Sequence, residues 1–173
     1  MIELNFTPFP ELSTPRLELR ELSLNDAEEI FLLRSDKTVN AFIDRKPAAS
    51  IDDARQFINL IISNQNNNQS VMWTITLKDD PKLIGTIVCY HIEKENDKAE
   101  IGYELLPSYH GQGIMHEALL KVIDFGFKTL GLKIIEADVR TDNLASIKLL
   151  DRCGFAKVGV GYDGYIIYEL RSL

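Results

Sequence analysis

The chain has 173 residues and is 45% hydrophobic and 26% charged, enough apolar content for one sizeable core, and 1–173 reads as one domain. Its net charge of −7 argues against a nucleic-acid binder, and with no apolar run near membrane-spanning length, no membrane partner is expected. Two cysteines, Cys89 and Cys153, make no disulfide framework, and the first residues lack a signal-peptide pattern, so a cytoplasmic protein is the expectation.

Residues 1–14 read as an N-terminal arm, since Pro8, Pro10 and Pro15 discourage helix. RLELREL (16–22) alternates apolar and charged residues and predicts a strand. Residues 23–35 predict a helix, with Ser23 and Asn25 as candidate caps. Ser50-Ile51-Asp52-Asp53 is similar to a capping box and opens a helix running to about Asn64. VMWTITL (71–77) and LIGTIVCYHI (83–92) predict strands joined by a KDDPK turn. After the charged turn EKENDK, AEIGYELL (99–106) predicts a third such strand.

Gly111-Gln112-Gly113 follows, opening an amphipathic helix over 113–130. Met115, Leu119, Val122 and Gly126 form its apolar stripe, with Ala118, Ile123 and Phe127 beside it. IIEADVR (134–140) predicts a buried strand, and Asn143 caps a short helix over 144–152. KVGVG and YIIYEL complete the sheet. A strand, a helix and a strand in succession over 99–140 form a βαβ unit, so its two strands should be parallel. The fold class is therefore α/β, or mixed α+β: a central twisted mixed sheet of about six to seven strands, with helices on both faces.

The strand–GxG–helix junction is the most informative stretch. A helix start carries unpaired amides and a partial positive charge, which suit a phosphate. Glycines let the backbone approach such a ligand. The dinucleotide pattern GxGxxG fails at His116, and the P-loop pattern fails at Ile114 and Met115. What remains is either a tight turn or a phosphate-binding turn of another kind.

A second motif separates these readings. TDNLASIKLLDRCGF (141–155) matches Asn-x-x-(Ala/Ser)-x-x-Leu-x-x-x-x-Gly-Phe, and the GxG loop partly matches (Arg/Gln)-x-x-Gly-x-(Gly/Ala). Together they resemble the GNAT superfamily of acetyl-CoA-dependent N-acetyltransferases. TPRLELRELSLNDAEEI and IGYELLPSYHGQG are similar to its RimJ/RimL-type branch, which acetylates ribosomal-protein N-termini. His110 stands where the superfamily has Arg or Gln, and Met115 where it has Gly or Ala. Leu150 replaces a tyrosine that protonates the leaving thiolate in many members.

The resemblance implies a GNAT fold in which the parallel strand pair splays apart and admits the pantetheine arm of acetyl-CoA. It implies a cofactor site made of Leu105, Leu106, His110, Gly111, Gln112, Gly113, Ile114, Met115 and His116, with Asn143 and Ser146 beside the pantetheine. It implies acetyl transfer to a primary amine, with a protein N-terminus as the expected acceptor. A polyamine, an aminoglycoside or another small amine is the alternative acceptor. A non-catalytic acyl-CoA sensor is the alternative from another class, favoured by Leu150. A homodimer is compatible with all of these.

The chemistry needs a neutral amine, a donor for the oxyanion and stabilisation of the leaving thiolate. An α-amine titrates near 7.7–8.0 and lysine near 10.4, so deprotonation at pH 7 costs about 1 kcal/mol against about 4.6. Glu104, near the C-terminal end of its strand, is one candidate base, or else a carboxylate that only attracts amines. Asp138 is another, at a strand position where related alanine N-acetyltransferases carry a glutamate base; otherwise it is a sheet-edge carboxylate. Ser146 is the candidate donor to the thiolate, or a packing residue of its helix. An amide near Leu105 is the expected oxyanion donor.

Cys153 falls at a helix C-terminus, where the dipole opposes a thiolate, and reads as a buried structural residue. His91, His110 and His116 are too scattered to suggest a metal site. Trp73, Tyr90, Tyr103 and Tyr165 read as core or cleft-wall residues.

Overall fold

The computed structural model describes residues 2–173. Eight strands form one sheet: β1 (Leu12–Ser13), β2 (Leu17–Glu21), β3 (Val71–Leu77), β4 (Asp80–Glu93), β5 (Lys98–Leu105), β6 (Ile134–Arg140), β7 (Ala156–Val160) and β8 (Tyr165–Arg171). Their order is β1-β2-β3-β4-β5-β6-β8-β7. The strand beyond the seven expected is β1, which lies in the N-terminal arm and pairs Leu12 with Leu19. The arm packs onto the core through Phe6, which is fully buried, and through Pro10, whose carbonyl accepts from Trp73 Nε1 at 2.8 Å.

Five helices cover the sheet: α1 (Ala27–Ser35), α2 (Lys37–Asn40), α3 (Ile51–Asn66), α4 (Ile114–Lys128) and α5 (Leu144–Arg152). Local chemistry sets their starts. Ser23 and Asp26 form a reciprocal capping box ahead of α1. Ser50 caps α3, while Asp53 turns back to the Ala49 amide at 2.8 Å rather than to the cap residue itself. The sequence reading missed the four-residue α2, which Asp36 caps through the Val39 amide at 2.9 Å.

Alternation along the strands sends side chains to two faces. On one face Trp73, Ile87, Ile101, Ile135, Ala137 and Val139 pack with α4 and with Leu150 of α5. On the other, Met72 and Leu83 pack with Ile30 and Leu33 of α1 and Ile58 of α3. Within α4 the buried ring is that of Phe125, which meets Trp73 edge-on at 5.4 Å; Phe127, expected beside the stripe, is only partly buried.

All neighbouring strands pair antiparallel except β5 and β6, which run parallel. That pairing spans three positions, from Lys98↔Ile134 to Glu100↔Glu136. Both strands continue, to Leu105 and Arg140, but no longer pair with each other. The sheet therefore splits at the C-terminal ends of these two strands, where Glu104 and Leu105 of β5 and Asp138 of β6 lie past the last pair. No helix among the described residues is long and apolar enough to cross a membrane.

Candidate active site

The loop between β5 and α4 forms the first wall. Gly111 and Gly113 both take φ of +74°, a left-handed conformation that costs an L side chain roughly 1–2 kcal/mol. A Cβ built on Gly111 meets nothing within 4 Å, so it would project into open space above the loop. Gly113 is the N-cap of the fifteen-residue α4 and supplies no side-chain cap. The amides of Ile114, Met115 and His116 thus have no partner inside the helix. The Ile114 and Met115 side chains are buried in the core, so these residues can meet a ligand only through backbone. An open turn, uncapped amides and a helix N-terminus together fit a diphosphate.

Charged side chains brace this loop. Glu117, in the first turn of α4, accepts from Thr14 Oγ1 at 2.6 Å, from the Arg16 amide at 2.9 Å and from Arg16 Nε at 2.6 Å. Arg16 Nη1 also donates to the Gln112 carbonyl at 2.9 Å. Partial burial pushes the Glu117 carboxyl up, but the bonds from Thr14 and Arg16 outweigh it and hold the group below the usual glutamate range. His110 turns inward, with Nε2 2.8 Å from the Leu105 carbonyl. Gln112 donates to the Ser108 carbonyl at 3.3 Å.

The end of β5 forms the second wall. Leu106 donates its amide to Ile84 on β4 at 2.9 Å. Ladder bonds alternate, so the amide of Leu105 points away from β4, toward the split. Such an amide is available to a ligand oxygen.

On the α4/α5 face, Asn143 caps α5 by accepting from the Ser146 amide at 3.2 Å. Ser146 Oγ lies 2.5 Å from the hydroxyl of Tyr103 on β5. Burial pushes the Tyr103 hydroxyl up to about 12, against the opposing hydrogen bond with Ser146. Leu150, one turn further along α5, is fully buried and carries no proton.

The opposite face carries the carboxylates. Glu100 and Glu136 are partners across β5 and β6, and alternation places Glu104 and Asp138 on the same face. Asp138 lines an open groove of about 530 Å³ with Val160, Gly161, Tyr162, Tyr165 and Ile167. Partial burial, then the nearby Glu100, raise the Asp138 carboxyl above the usual aspartate range. Glu104 is engaged differently: it forms an ion pair with Arg45, from the loop after α2. Burial raises the Glu104 carboxyl, opposed first by Arg45 and then by Arg34.

The loop 110–116 thus follows directly on the Leu105 end of β5, and Ser146, capped by Asn143, meets the same strand through Tyr103. Asp138 and Glu104 stand on the opposite face, Glu104 already paired. Cys153 is buried and its thiol is raised by burial, which leaves it unsuited to attack a thioester. Sequence reasoning missed Arg45, which sits in a loop without periodicity. It read Tyr103 as a core or cleft-wall residue, which its packing against the core supports, but not its contact with Ser146.

Comparison with known proteins supplies the context. Residues 16–156 match the acetyltransferase (GNAT) domain. YoaA of Bacillus subtilis (strain 168), an uncharacterized N-acetyltransferase, is 38% identical over 88% of this chain and 86% of its own length. A candidate ribosomal-protein-serine acetyltransferase from Vibrio cholerae superposes with a TM-score of 0.85 at 26% identity, covering 95% of this chain and 99% of that one. The microcin C7 self-immunity acetyltransferase MccE, solved with acetyl-CoA and AMP, gives a TM-score of 0.80 at 26% identity over 92% and 94% of the two chains. The chain belongs to the GNAT family of acetyl-CoA-dependent N-acetyltransferases.

Proposed function

We propose that this enzyme transfers acetyl from acetyl-CoA to the α-amine of a protein N-terminus, directly and without a covalent enzyme intermediate. The observation that carries the acceptor assignment is the groove at Asp138. It offers one carboxylate among aromatic and aliphatic walls. One ammonium group followed by an extended peptide matches that lining. The likeness to the Vibrio cholerae protein supports the same reading.

In this reading the amides of 111–116 hold the diphosphate, and Leu105 and Leu106 line the pantetheine, with Asn143 at its edge. The Leu105 amide faces the developing oxyanion. Asp138 accepts the amine's proton, directly or through water, as its raised carboxyl suits a base working near neutral pH. Ser146 donates a hydrogen bond to the departing sulfur. Glu104, paired with Arg45, shapes the acceptor cleft and does not serve as the base.

A polyamine is the second reading, favoured by Glu100 and Glu136 beside Asp138 on the same face. Rates of thiol release with N-terminal peptides, spermidine and an aminoglycoside separate the two. Peptides should show the highest kcat/KM. A spermidine kcat/KM well above that of every peptide transfers the assignment to polyamines.

A further inference from the structure

Leu150 leaves the family's usual hydroxyl position empty of hydroxyl, so the departing sulfur needs another donor. Ser146 is the nearest hydroxyl on the same helix, but a serine side chain spins freely unless something fixes it. Its Oγ is 2.5 Å from Tyr103 Oη, across the interface between α5 and β5. Serines within helices often spend their hydrogen on the carbonyl one turn back. Ser146 Oγ instead meets Tyr103 Oη, a contact in which either hydroxyl can be the donor.

We propose that Tyr103 is a positioning residue, whose hydroxyl donates to Ser146 Oγ and thereby aims the Ser146 hydrogen at the sulfur of the leaving coenzyme. The geometry supplies what that role requires. Tyr103 lies past the last β5–β6 pair, Glu100↔Glu136, where the strands have parted. Its ring is half-buried and packed against the main core, so the hydroxyl is held in place. Ser146 sits in the first turn of α5, where the helix dipole favours negative charge. With Tyr103 donating, the Ser146 proton is free to point elsewhere.

Acidity decides between donating a bond and transferring a proton. Burial pushes the Tyr103 hydroxyl up to about 12. An ordinary thiol titrates near 8.5, so moving a proton from this pair to a thiolate is uphill. The pair therefore donates a hydrogen bond and keeps its protons. When the C–S bond breaks, the electron pair stays on sulfur as thiolate. The thiolate takes its proton from water after release, while the amine's proton leaves through the base to water. The net change is amine plus thioester to amide plus thiol.

The inference rests on acetyl transfer with Ser146 at the sulfur, and holds for any acceptor. The test is a mutant cycle read in kcat and in KM for acetyl-CoA, using whichever amine turns over best. Ser146→Ala should lower kcat about 100-fold, as loss of a donor to a developing charge does. Tyr103→Phe should lower kcat roughly tenfold with KM for acetyl-CoA unchanged, and the double variant should match Ser146→Ala alone. If Ser146→Ala is slow and Tyr103→Phe is as fast as the parent, the role of Tyr103 falls and that of Ser146 stands. If Ser146→Ala is also fast, both fall. Losses that multiply in the double variant overturn the coupling as well. Site-specific 3-fluorotyrosine at position 103 covers the case in which the phenylalanine variant folds poorly. Its more acidic hydroxyl is a stronger donor of nearly the same size, and kcat should rise; an unchanged kcat overturns the proposal.

Discussion

Arg45 reaches from the loop after α2 to form an ion pair with Glu104 at the C-terminal end of β5, and both side chains are nearly buried, at 14% and 13% exposure. The pair ties an irregular loop to the sheet beside the split. Arg45 Nε also donates to Asn40 Oδ1 at 2.8 Å, while its Nη2 is buried with no hydrogen-bond partner among the described residues. Such a pair adds little net stability over an apolar replacement, yet removing one partner strands the other.

Arg45→Ala should therefore destabilise the fold by about 3 kcal/mol, the lower end for an orphaned buried charge. Thermal unfolding measures this. Glu104→Gln separates structure from chemistry: it should lower the melting temperature while leaving kcat within about threefold of the parent. A kcat loss of 100-fold or more in a folded Glu104→Gln variant would make Glu104 the base.

Asp138→Asn should lower kcat by about 100-fold, at the low end for general base catalysis. The sign of the pH dependence follows from its raised carboxyl, which ionises only as pH climbs past the usual aspartate range. Parent activity should rise through that raised value, and the asparagine variant should lose this limb of the profile. The same shift means that ionised Asp138 costs the folded state stability, a cost absent below the ordinary aspartate value. The variant should therefore melt no lower than the parent at pH 7.

Gly111→Ala should raise KM for acetyl-CoA by tenfold or more. The added Cβ meets no protein atom within 4 Å and projects into the open space proposed for the diphosphate, and the φ of +74° adds strain. The melting temperature should fall only as far as about 1–2 kcal/mol of strain allows. A variant that binds acetyl-CoA as the parent does would remove this loop from the diphosphate site.

Glu117 joins the first turn of α4 to β2 and the arm, so Glu117→Gln should cost about 2 kcal/mol of stability for its charge-assisted bonds at neutral pH. The folded carboxyl lies below its unfolded value. Its stabilisation is therefore present above about pH 4.3, the ordinary glutamate value, and is lost as pH falls through the folded one. The difference in melting temperature between parent and variant should shrink on acidification over that window.

Much of this fold was legible in the residues. The alternation at 16–22 and the apolar runs at 71–77 and 134–140 located their strands, and the βαβ order implied the parallel pair that the structure shows. The glycine spacing at 111 and 113 marked a turn between strand and helix, and only the motif at 141–155 pointed that turn toward a phosphate. β1 was not legible, since a two-residue strand has no period to read. Arg45 was not, because its partner lies 59 positions away and loops carry no pattern. Tyr103 and Ser146 were each visible, but their contact depends on how α5 settles over the split, which no local pattern encodes.

The central claim is that the split in the sheet delivers acetyl from coenzyme A to an α-amine. It is tested most directly by locating the acetyl group, by fragmentation mass spectrometry, on a peptide with a free N-terminal serine and an internal lysine. The account predicts acetyl on the α-nitrogen, with release of one thiol per product and no product when that nitrogen is blocked. Acetyl on the lysine, or no acetylated peptide while spermidine is consumed, would contradict it.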